Sequence, residues 1–363
     1  MTAWRGETAG GLPVVRVRGG PEERGRAVGE ALAPAIHRSL AVTGGWMGRR
    51  GVVPEALPGL LGPYREAAAA AYPDLVRELD GLAAGAAAPW WELFAANAFE
   101  ELEELVARRA AVAAGPPERC TAFAAAAGGG MLLGHDEQWF AADSPNCAVI
   151  VAVPDDGPAF ASPTAAAFLP AVGLNAAGTA QAIMSLTARD DGAGIPRVFV
   201  SRAALQSTRP EHAVDRATPN GRAGGYAHLF VFADGAALTV ETSARRHAVL
   251  PGPGGHTNHY LDPALAAGAD PPGDGTTGRL AAVDEELSTR ELRTPEDVRS
   301  VLSSHRGDPD HVCRHPRPGE GEEADAVIFA MACDPGRLRL WVAGGLPCRR
   351  GFAEVDLTGE FAA

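Results

Sequence analysis

The sequence predicts an α+β protein. Helical periodicity dominates before residue 112, short strands dominate from Cys120 onward, and helix pairs separate the later strands. Hairpins that alternate with helix pairs are typical of antiparallel sheets covered by helices. The 363 residues fit one large domain or two modest ones, and no internal repeat or low-complexity linker divides the part after Cys120.

Composition and charge exclude several classes of protein. Apolar residues make up 46% of the chain, without a run long enough to span a membrane, so we expect a globular protein with no membrane partner. The formal net charge of −13 is spread over many segments with no basic stripe, which argues against a nucleic-acid partner. Near the start there is no apolar segment of secretory type, so a cytoplasmic location is expected.

The cysteines favour free thiols. There are five, an odd number, and no two are spaced as C-x-x-C. A disulfide framework is therefore disfavoured, and at least one thiol is expected to be free.

The first third of the sequence has helical patterns. Residues 21–40 place apolar side chains on one face after Pro21, which suits a first helical turn. Further helical patterns cover residues 64–85, interrupted by Pro73, and residues 89–110. We therefore interpret everything before residue 112 as a helical layer. The Gly and Pro residues of 113–119 predict an exposed loop.

From Cys120 the pattern changes to short strands. The predicted hairpins comprise residues 120–126 with 131–139, 226–232 with 236–242, and 327–332 with 338–344. Single strands are predicted at 147–153 and 179–186, and helices at 195–207, 210–217, 276–287 and 294–305. The last of these helices has Thr294 as its N-cap and Glu296 in its first turn.

Cys120 is the first candidate functional residue. It begins a predicted strand directly after a proline-containing loop, where a peptide bond would be accessible to cleavage. Taken by itself, a lone cysteine is more often a small buried hydrophobe than a nucleophile. The surrounding motifs change this interpretation.

Nine motifs occur in a fixed order between residues 118 and 348. They are ERCTAF, GHDEQW, GLNAAG, SLTA, IPRVFVSRAAL, HTNHYLDP, TTGRL, SSHRGDPDHVCRH and GLPC. In this order they resemble the acyl-coenzyme A:isopenicillin N acyltransferase-like family of N-terminal-nucleophile hydrolases. Upstream, YPDLVRELDGLAAGAA and NAFEEL resemble that family's pro-segment, so the resemblance covers nearly the whole chain.

This resemblance implies a fold and a maturation step. The fold would be a four-layer αββα sandwich with an N-terminal helical pro-segment. The precursor, an inactive zymogen, would cut itself between Arg119 and Cys120 into an α chain, residues 1–119, and a catalytic β chain, residues 120–363, that stay associated. Cleavage frees an α-amino group of pKa about 7.7–8.0 beside a thiol of pKa about 8.5, so Cys120 would supply both nucleophile and base.

The resemblance also implies further site residues. Asn258 in HTNHYLDP matches an oxyanion-hole asparagine, which would stabilise charge on the substrate carbonyl oxygen. Arg279 in TTGRL matches an arginine close to the nucleophilic sulfur, where its charge would favour thiolate. His256 and His259 are interpreted as structural, because an H-x-x-H pair would need further ligands to hold a metal.

The sequence departs from the family pattern in two places, the hairpin after the cysteine and the residue before it. The hairpin after the cysteine commonly reads G-x-N-x-D-W, with the aspartate holding the new α-amino group, whereas the matching positions here are Asp136 and Gln138. Either Asp136 or Glu137 then supplies the carboxylate, or the amine is less basic. Arg119 replaces a small residue, usually glycine, so slow or incomplete processing is one expectation.

The predicted function is hydrolysis of a small N-acyl amine, amino-acid amide or peptide-like natural product through a thioester, with no cofactor and no metal. A second hypothesis is acyl transfer from a coenzyme A thioester or an amide to an amine, because both reactions use the same catalytic groups. A third is an unprocessed binding or scaffold protein, and a fourth is a metal-dependent hydrolase. The sequence does not identify substrate-binding residues.

Overall fold

The computed structural model describes residues 6–109 and 119–361, which form two β-sheets and their covering helices. The α-helices are α1 (Pro21–Arg49), α2 (Leu57–Ala71), α3 (Pro73–Ala86), α4 (Trp90–Asn97), α5 (Phe99–Arg109), α6 (Arg197–Ala204), α7 (Pro210–Ala217), α8 (Pro263–Ala266), α9 (Asp274–Thr289), α10 (Pro295–Leu302) and α11 (Pro347–Arg350). Within the described residues, no helix combines the length and the apolar character needed to cross a membrane.

One sheet has nine strands. They are β1 (Thr8–Ala9), β2 (Leu12–Gly19), β5 (Cys147–Pro154), β6 (Phe160–Ala165), β7 (Gly173–Asn175), β8 (Thr179–Leu186), β9 (Gly225–Phe232), β10 (Ala237–Thr242) and β11 (His247–Pro251), in that spatial order. Neighbouring strands pair antiparallel except β2 and β5, which are parallel.

The other sheet has six strands and carries Cys120 at the start of a hairpin. Its order is β12 (Gly254–His256), β3 (Thr121–Ala127), β4 (Gly130–Phe140), β13 (Asp325–Asp334), β14 (Arg339–Gly344) and β15 (Ala353–Glu354). All pairs are antiparallel. The three predicted hairpins are confirmed as β3–β4, β9–β10 and β13–β14.

The prediction that everything before residue 112 is a helical layer is wrong for the first segment. β2 contributes Val14, Val15 and Val17 to the core and pairs in parallel with β5. The alternation of Val and Arg in this segment is a strand pattern, but it is short, and its partner lies far along the chain. The rest of the described segment is helical, and α3 begins at Pro73, as a proline at the first helical position allows.

Helices pack against each sheet, and strands of the two sheets contact each other. The helices α1, α6 and α7 pack against the nine-stranded sheet, and α9 and α10 pack against the six-stranded sheet. Contacts between the sheets include β3 with β9 and β4 with β8. The helix at 294–305 is confirmed as α10, with a capping box between Thr294 and Asp297.

α1 and α3 approach backbone to backbone through glycines. A Cβ atom on Gly25 would lie 1.9 Å from the carbonyl oxygen of Glu78, and one on Gly81 would lie 2.2 Å from that of Glu22. Both contacts are far shorter than van der Waals separation, so any side chain would force the helices apart. This close packing fixes α3 to α1, which itself packs against β2 and β5 of the nine-stranded sheet.

The predicted loop at 113–119 lies outside the described residues except for Arg119, which is the last residue before Cys120.

Candidate active site

Cys120 lies directly before β3, and its thiol is buried beside a carboxylate. β3 pairs with β4 so that Thr121 is opposite Asp136, which brings Cys120 level with Glu137. The Sγ atom of Cys120 donates to Oε1 of Glu137 at 3.3 Å. The other oxygen of Glu137 lies 3.1 Å from Nε2 of His135. The strand pairing therefore assembles a thiol, a carboxylate and an imidazole in one row.

Asp136 and Gln138 lie on the opposite face of β4. Successive side chains of a strand point to opposite faces, and the contacts of these two residues agree with this. Nε2 of Gln138 donates to the carbonyl oxygen of Val312 at 3.2 Å, in the segment that follows α10. Within the described residues, neither carboxylate oxygen of Asp136 has a hydrogen-bond partner. The side chain that contacts the Cys120 thiol is that of Glu137.

The environment of Cys120 favours the neutral thiol. Burial raises its pKa well above the ordinary value, and the negative charge of Glu137 raises it further, while the backbone N–H of Gln138 acts in the opposite direction. Burial also raises the pKa of Asp136 well above its usual range. The thiol must therefore lose its proton to a neighbouring base before it can act as a nucleophile.

Asn258 reaches the residue that precedes Cys120. β12 pairs with β3 so that His256 is opposite Ala122, and Asn258 follows two residues later at the level of Cys120. Its Oδ1 accepts from the backbone N–H of Arg119 at 2.8 Å and from Nη2 of Arg279 at 2.8 Å. Since both partners donate only, the oxygen must face them.

The amide nitrogen of Asn258 points toward the other sheet. Nδ2 donates to the backbone carbonyl of Ser185 in β8 at 3.2 Å. Ser185 and Cys120 line the same cleft. Arg279 is buried in α9 and fixes the orientation of this amide, because a guanidinium donates and never accepts.

Arg119 places its side chain in the cleft next to Cys120. Its guanidinium lies 4.4 Å from the centroid of the Trp139 ring, within the range of cation–π attraction. It forms ion pairs with Glu100 at 3.2 Å and Glu103 at 2.7 Å, both from α5. The Ser185 hydroxyl also donates to Glu100. These contacts hold the bond between Arg119 and Cys120 inside the protein.

The cleft lies between the two sheets and is mostly apolar. Its apolar lining includes Phe99, Trp139, Phe168, Leu169, Ile183 and Phe329. The cavity volume is about 80 Å³, room for only a few water molecules. Arg119 and Cys120 are both among the lining residues, so Arg119 takes up part of the space.

A β-bulge lies opposite the row that carries Glu137. On β13, Val327 pairs with Gln138 and Phe329 pairs with Glu137, so Ile328 is the extra residue. Bulges bend a strand and change the direction of neighbouring side chains. Ile328 and Phe329 both line the cleft.

Among residues 6–109 and 119–361, two groups of side chains have the composition of metal ligands. Cys120, His135 and Glu137 form one, with their ligand atoms within 4.8 Å of one another. The other group consists of His305, Cys313, His315 and Cys348.

The histidines flanking Asn258 have protein partners instead. His256 lies 2.7 Å from Oε1 of Glu241, and His259 lies 3.0 Å from Oγ1 of Thr276.

The structure brings together Cys120, Arg119, Asn258 and Arg279, and it places Asp136 and Gln138 on the far side of β4. The sequence pattern indicated Glu137 only as a second possible carboxylate and did not identify Glu100 or Glu103. The acidic run of α5 was a visible signal, but its pairing with Arg119 depends on tertiary contacts.

Comparisons with known proteins assign the family. No curated protein matches the sequence. Among solved structures, a mutant of conjugated bile acid hydrolase from Clostridium perfringens is similar at 13% identity, with 66% of this chain and 93% of that chain covered and a TM-score of 0.45. Penicillin V acylase from Agrobacterium tumefaciens is similar at 14% identity, with 62% and 83% covered and a TM-score of 0.44.

The family model described as acyl-coenzyme A:6-aminopenicillanic acid acyl-transferase matches residues 126–345. This match spans more than half of the chain. The chain therefore belongs to the acyl-coenzyme A:6-aminopenicillanic acid acyl-transferase family, which confirms the resemblance stated from its sequence.

Proposed function

We propose that this protein is a self-cleaving cysteine amidohydrolase whose nucleophile is Cys120. The observation that carries the proposal is the position of the Cys120 thiol in an apolar cleft, 3.3 Å from the Glu137 carboxylate, with the peptide before it bound to Asn258. The Cys120 thiol, the Glu137 carboxylate as a base and the Arg119 carbonyl are the groups needed to transfer an acyl group to sulfur.

The first reaction would be cleavage of the chain itself. Glu137 accepts the thiol proton, and Sγ of Cys120 attacks the carbonyl carbon of Arg119. The carbon–nitrogen bond breaks as the nitrogen takes a proton, which leaves a thioester to Sγ and a free α-amino group on Cys120. Water then hydrolyses the thioester, so Arg119 ends the first chain with a carboxylate and the thiol is regenerated.

The second reaction uses the new α-amino group as the base. The amine accepts the thiol proton, Sγ attacks the carbonyl of a substrate amide, and the proton passes to the leaving nitrogen. Water resolves the acyl thioester and releases the acid. In this state Asp136 and Gln138 remain candidates to orient the amine, and Glu137, on the side of the thiol, is the third.

Asn258 would stabilise the charge that develops on the carbonyl oxygen, and Arg279 would hold Asn258 in position. The amide nitrogen of Asn258 points toward the cleft side at Ser185, as an oxyanion donor requires. Arg279 is a positioning residue in this scheme, because it contacts Asn258 and keeps the amide oxygen turned away from the reacting carbonyl.

The cleft supports an apolar or aromatic acyl group as the substrate portion. Aromatic and aliphatic side chains form most of its lining. The Arg119 side chain lies there before cleavage, and its departure would enlarge the present cavity of about 80 Å³. Glu100 and Glu103, which now pair with Arg119, would then face the emptied space.

The arrangement of helices and sheets supports the four-layer αββα sandwich as the architecture of the mature enzyme. The two products, residues 1–119 and 120–363, would remain together, because β2 of the first is a strand in the sheet of the second. Separating them would expose the valines of β2 and break the ladder with β5.

Acyl transfer is the second candidate, favoured by the activity for which the family model is named. Hydrolysis and transfer share the acyl thioester and differ in whether water or an amine resolves it. A coenzyme A thioester would be the donor class to test.

An intact-mass measurement of freshly purified protein tests the proposal. We expect two co-purifying chains, one ending at Arg119 and one beginning at Cys120, and a single chain for Cys120→Ala. When the cleaved enzyme is incubated with N-acyl amines and quenched with acid, the chain that begins at Cys120 should carry one added acyl group. A wild-type chain that stays uncut while hydrolysing amides would contradict the mechanism, and an uncut chain with an unreactive Cys120 would favour a binding or scaffold protein.

A further inference from the structure

We propose that His305, Cys313, His315 and Cys348 form a structural zinc site, separate from the Cys120 cleft. The four residues come from two segments. Three of them lie between residues 305 and 315, after α10, and Cys348 lies in α11 after β14. Their ligand atoms all lie within 4.8 Å of one another.

The distances fit a tetrahedral ion. With Zn–N near 2.0–2.1 Å and Zn–S near 2.3 Å, ligand atoms at tetrahedral angles lie roughly 3.3–3.8 Å apart. Nε2 of His315 lies 3.1 Å from Nε2 of His305, 3.2 Å from Sγ of Cys348 and 3.9 Å from Sγ of Cys313. Small adjustments of these side chains would place all four around one ion.

Hydrogen bonding among the side chains does not account for this arrangement. A neutral imidazole nitrogen either donates one proton or accepts one. Nε2 of His315 nevertheless lies at bonding distance from an imidazole nitrogen and two sulfur atoms. A cation at the centre would instead accept a lone pair from each of the four groups.

The ligand types select zinc over hard cations. Two thiolates and two imidazoles are soft or borderline ligands, which suit Zn²⁺ rather than Mg²⁺ or Ca²⁺. Two thiolates also neutralise the charge of the ion. A complete set of four protein ligands is the pattern of a structural site, since a catalytic zinc keeps one position open.

The backbone already holds the first three ligands in place. The N–H of Cys313 donates to the carbonyl of Ser304 at 3.1 Å, which brings Cys313 next to His305. The N–H of Val327 donates to the carbonyl of Arg314 at 3.0 Å and ties the loop to β13. An ion would therefore add the link to α11 and clamp both ends of the β13–β14 hairpin.

Metal analysis of the untagged full chain, purified without chelator and then given zinc and dialysed, tests the site. We expect about one zinc per chain. His305→Asn and Cys348→Ser change exposed residues, so both should stay folded and lose most of the zinc. His311→Asn is the matched control, because the His311 ring lies 5.0 Å from that of His305 but is outside the proposed ligand set.

Cobalt substitution gives a second readout that does not depend on activity. Co²⁺ in this site should show tetrahedral d–d absorption and a thiolate-to-metal charge-transfer band, and Cys348→Ser should lose much of the latter. Cys120→Ala should retain both the zinc and the cobalt spectrum. Loss of the metal in Cys120→Ala but not in Cys348→Ser would assign it to Cys120, His135 and Glu137 and overturn the proposal.

Three further results would also overturn it. They are a metal content far below one per chain, retention of zinc in both ligand variants, and an intact mass lower by the two hydrogens of a Cys313–Cys348 disulfide. Loss of zinc in His311→Asn would show that the set of four ligands is wrong. None of these results bears on cleavage at Cys120, so this site and the proposed function fail independently.

Discussion

The Sγ atom of Cys120 lies 3.3 Å from Oε1 of Glu137, on the face of β4 opposite to Asp136 and Gln138. Glu137 is thus the carboxylate in contact with the thiol. In the proposed mechanism this relationship separates two roles: a base for the thiol in the precursor and a partner for the α-amino group after cleavage.

Replacing Glu137 by Gln should slow self-cleavage. The side chain keeps its size but can no longer accept the thiol proton, and loss of a general base typically costs about 100-fold to 10,000-fold in rate. Denatured precursor would be refolded, and the fraction of chain that has been cut would be followed over time by intact-mass measurement.

Asp136→Asn is the matched control on the same strand. Asp136 lies on the face of β4 away from the Cys120 thiol, and burial raises its pKa and so favours the uncharged carboxyl, which an amide resembles. The amide should therefore support cleavage at close to the wild-type rate. Slow cleavage in Asp136→Asn together with normal cleavage in Glu137→Gln would reverse the two roles.

Asn258→Ala, which removes the side-chain amide, should reduce turnover by the mature enzyme. The loss of one oxyanion donor typically costs about 100-fold to 1,000-fold in kcat. Asn258→Asp should be at least as slow, because a carboxylate repels the developing negative charge. Steady-state kinetics of fully cleaved enzyme would measure this, with KM little changed. Turnover close to wild type in both variants would exclude Asn258 from the oxyanion site.

Arg279→Lys tests whether the arginine acts by positioning that amide. A lysine keeps the positive charge but lacks the planar guanidinium that donates from Nη2 to Oδ1 of Asn258. We expect a lower kcat with an unchanged pH profile. If the part of the pH profile of kcat that reports the pKa of the Cys120 thiol shifts instead, the charge of Arg279 acts on Cys120.

The stability of the uncut chain should depend on pH through Glu101. Burial raises the pKa of this carboxyl to about 7, despite the opposing attraction of Arg197. Between about pH 4.5 and 7, the folded chain holds a proton that the unfolded chain has released, so the contribution of Glu101 to the free energy of unfolding falls as pH rises.

Denaturant titrations of the Cys120→Ala chain, which we expect to remain uncut, at pH 5 and pH 8 would measure this dependence. Adding Glu101→Gln should make the free energy of unfolding less dependent on pH in that window. An equally steep decline with and without Glu101→Gln would assign the effect to other groups.

The contact between α1 and α3 predicts opposite effects for two glycines of the same helix. Gly25→Ala places a Cβ 1.9 Å from the Glu78 carbonyl oxygen and should destabilise the protein by about 1–3 kcal/mol or more. Gly44→Ala meets no atom within 4 Å and should stabilise it by roughly 0.5–1 kcal/mol. Denaturant titration in the Cys120→Ala background compares the two, and equal effects would contradict the close packing.

The family, the α+β class and the place of Cys120 at the start of a hairpin could all be predicted from the sequence. Strands and helices have local periodicities, so the hairpins and the helices α7, α9 and α10 were predictable too. The motifs that identify the family are also local, and they include Asn258 and Arg279.

Which groups meet in the site depends on tertiary contacts. The register of β3 against β4 directs Glu137 to the thiol and turns Asp136 and Gln138 away, and one residue of slip would reverse this. The alternation of Val and Arg in β2 is a local strand pattern, but its parallel pairing with the distant β5 depends on tertiary contacts. The His and Cys side chains around His315 come from segments about thirty residues apart. The packing of the loop after α10 against α11 brings them together. The sequence could not predict this cluster, because contacts between distant segments leave no periodic signal.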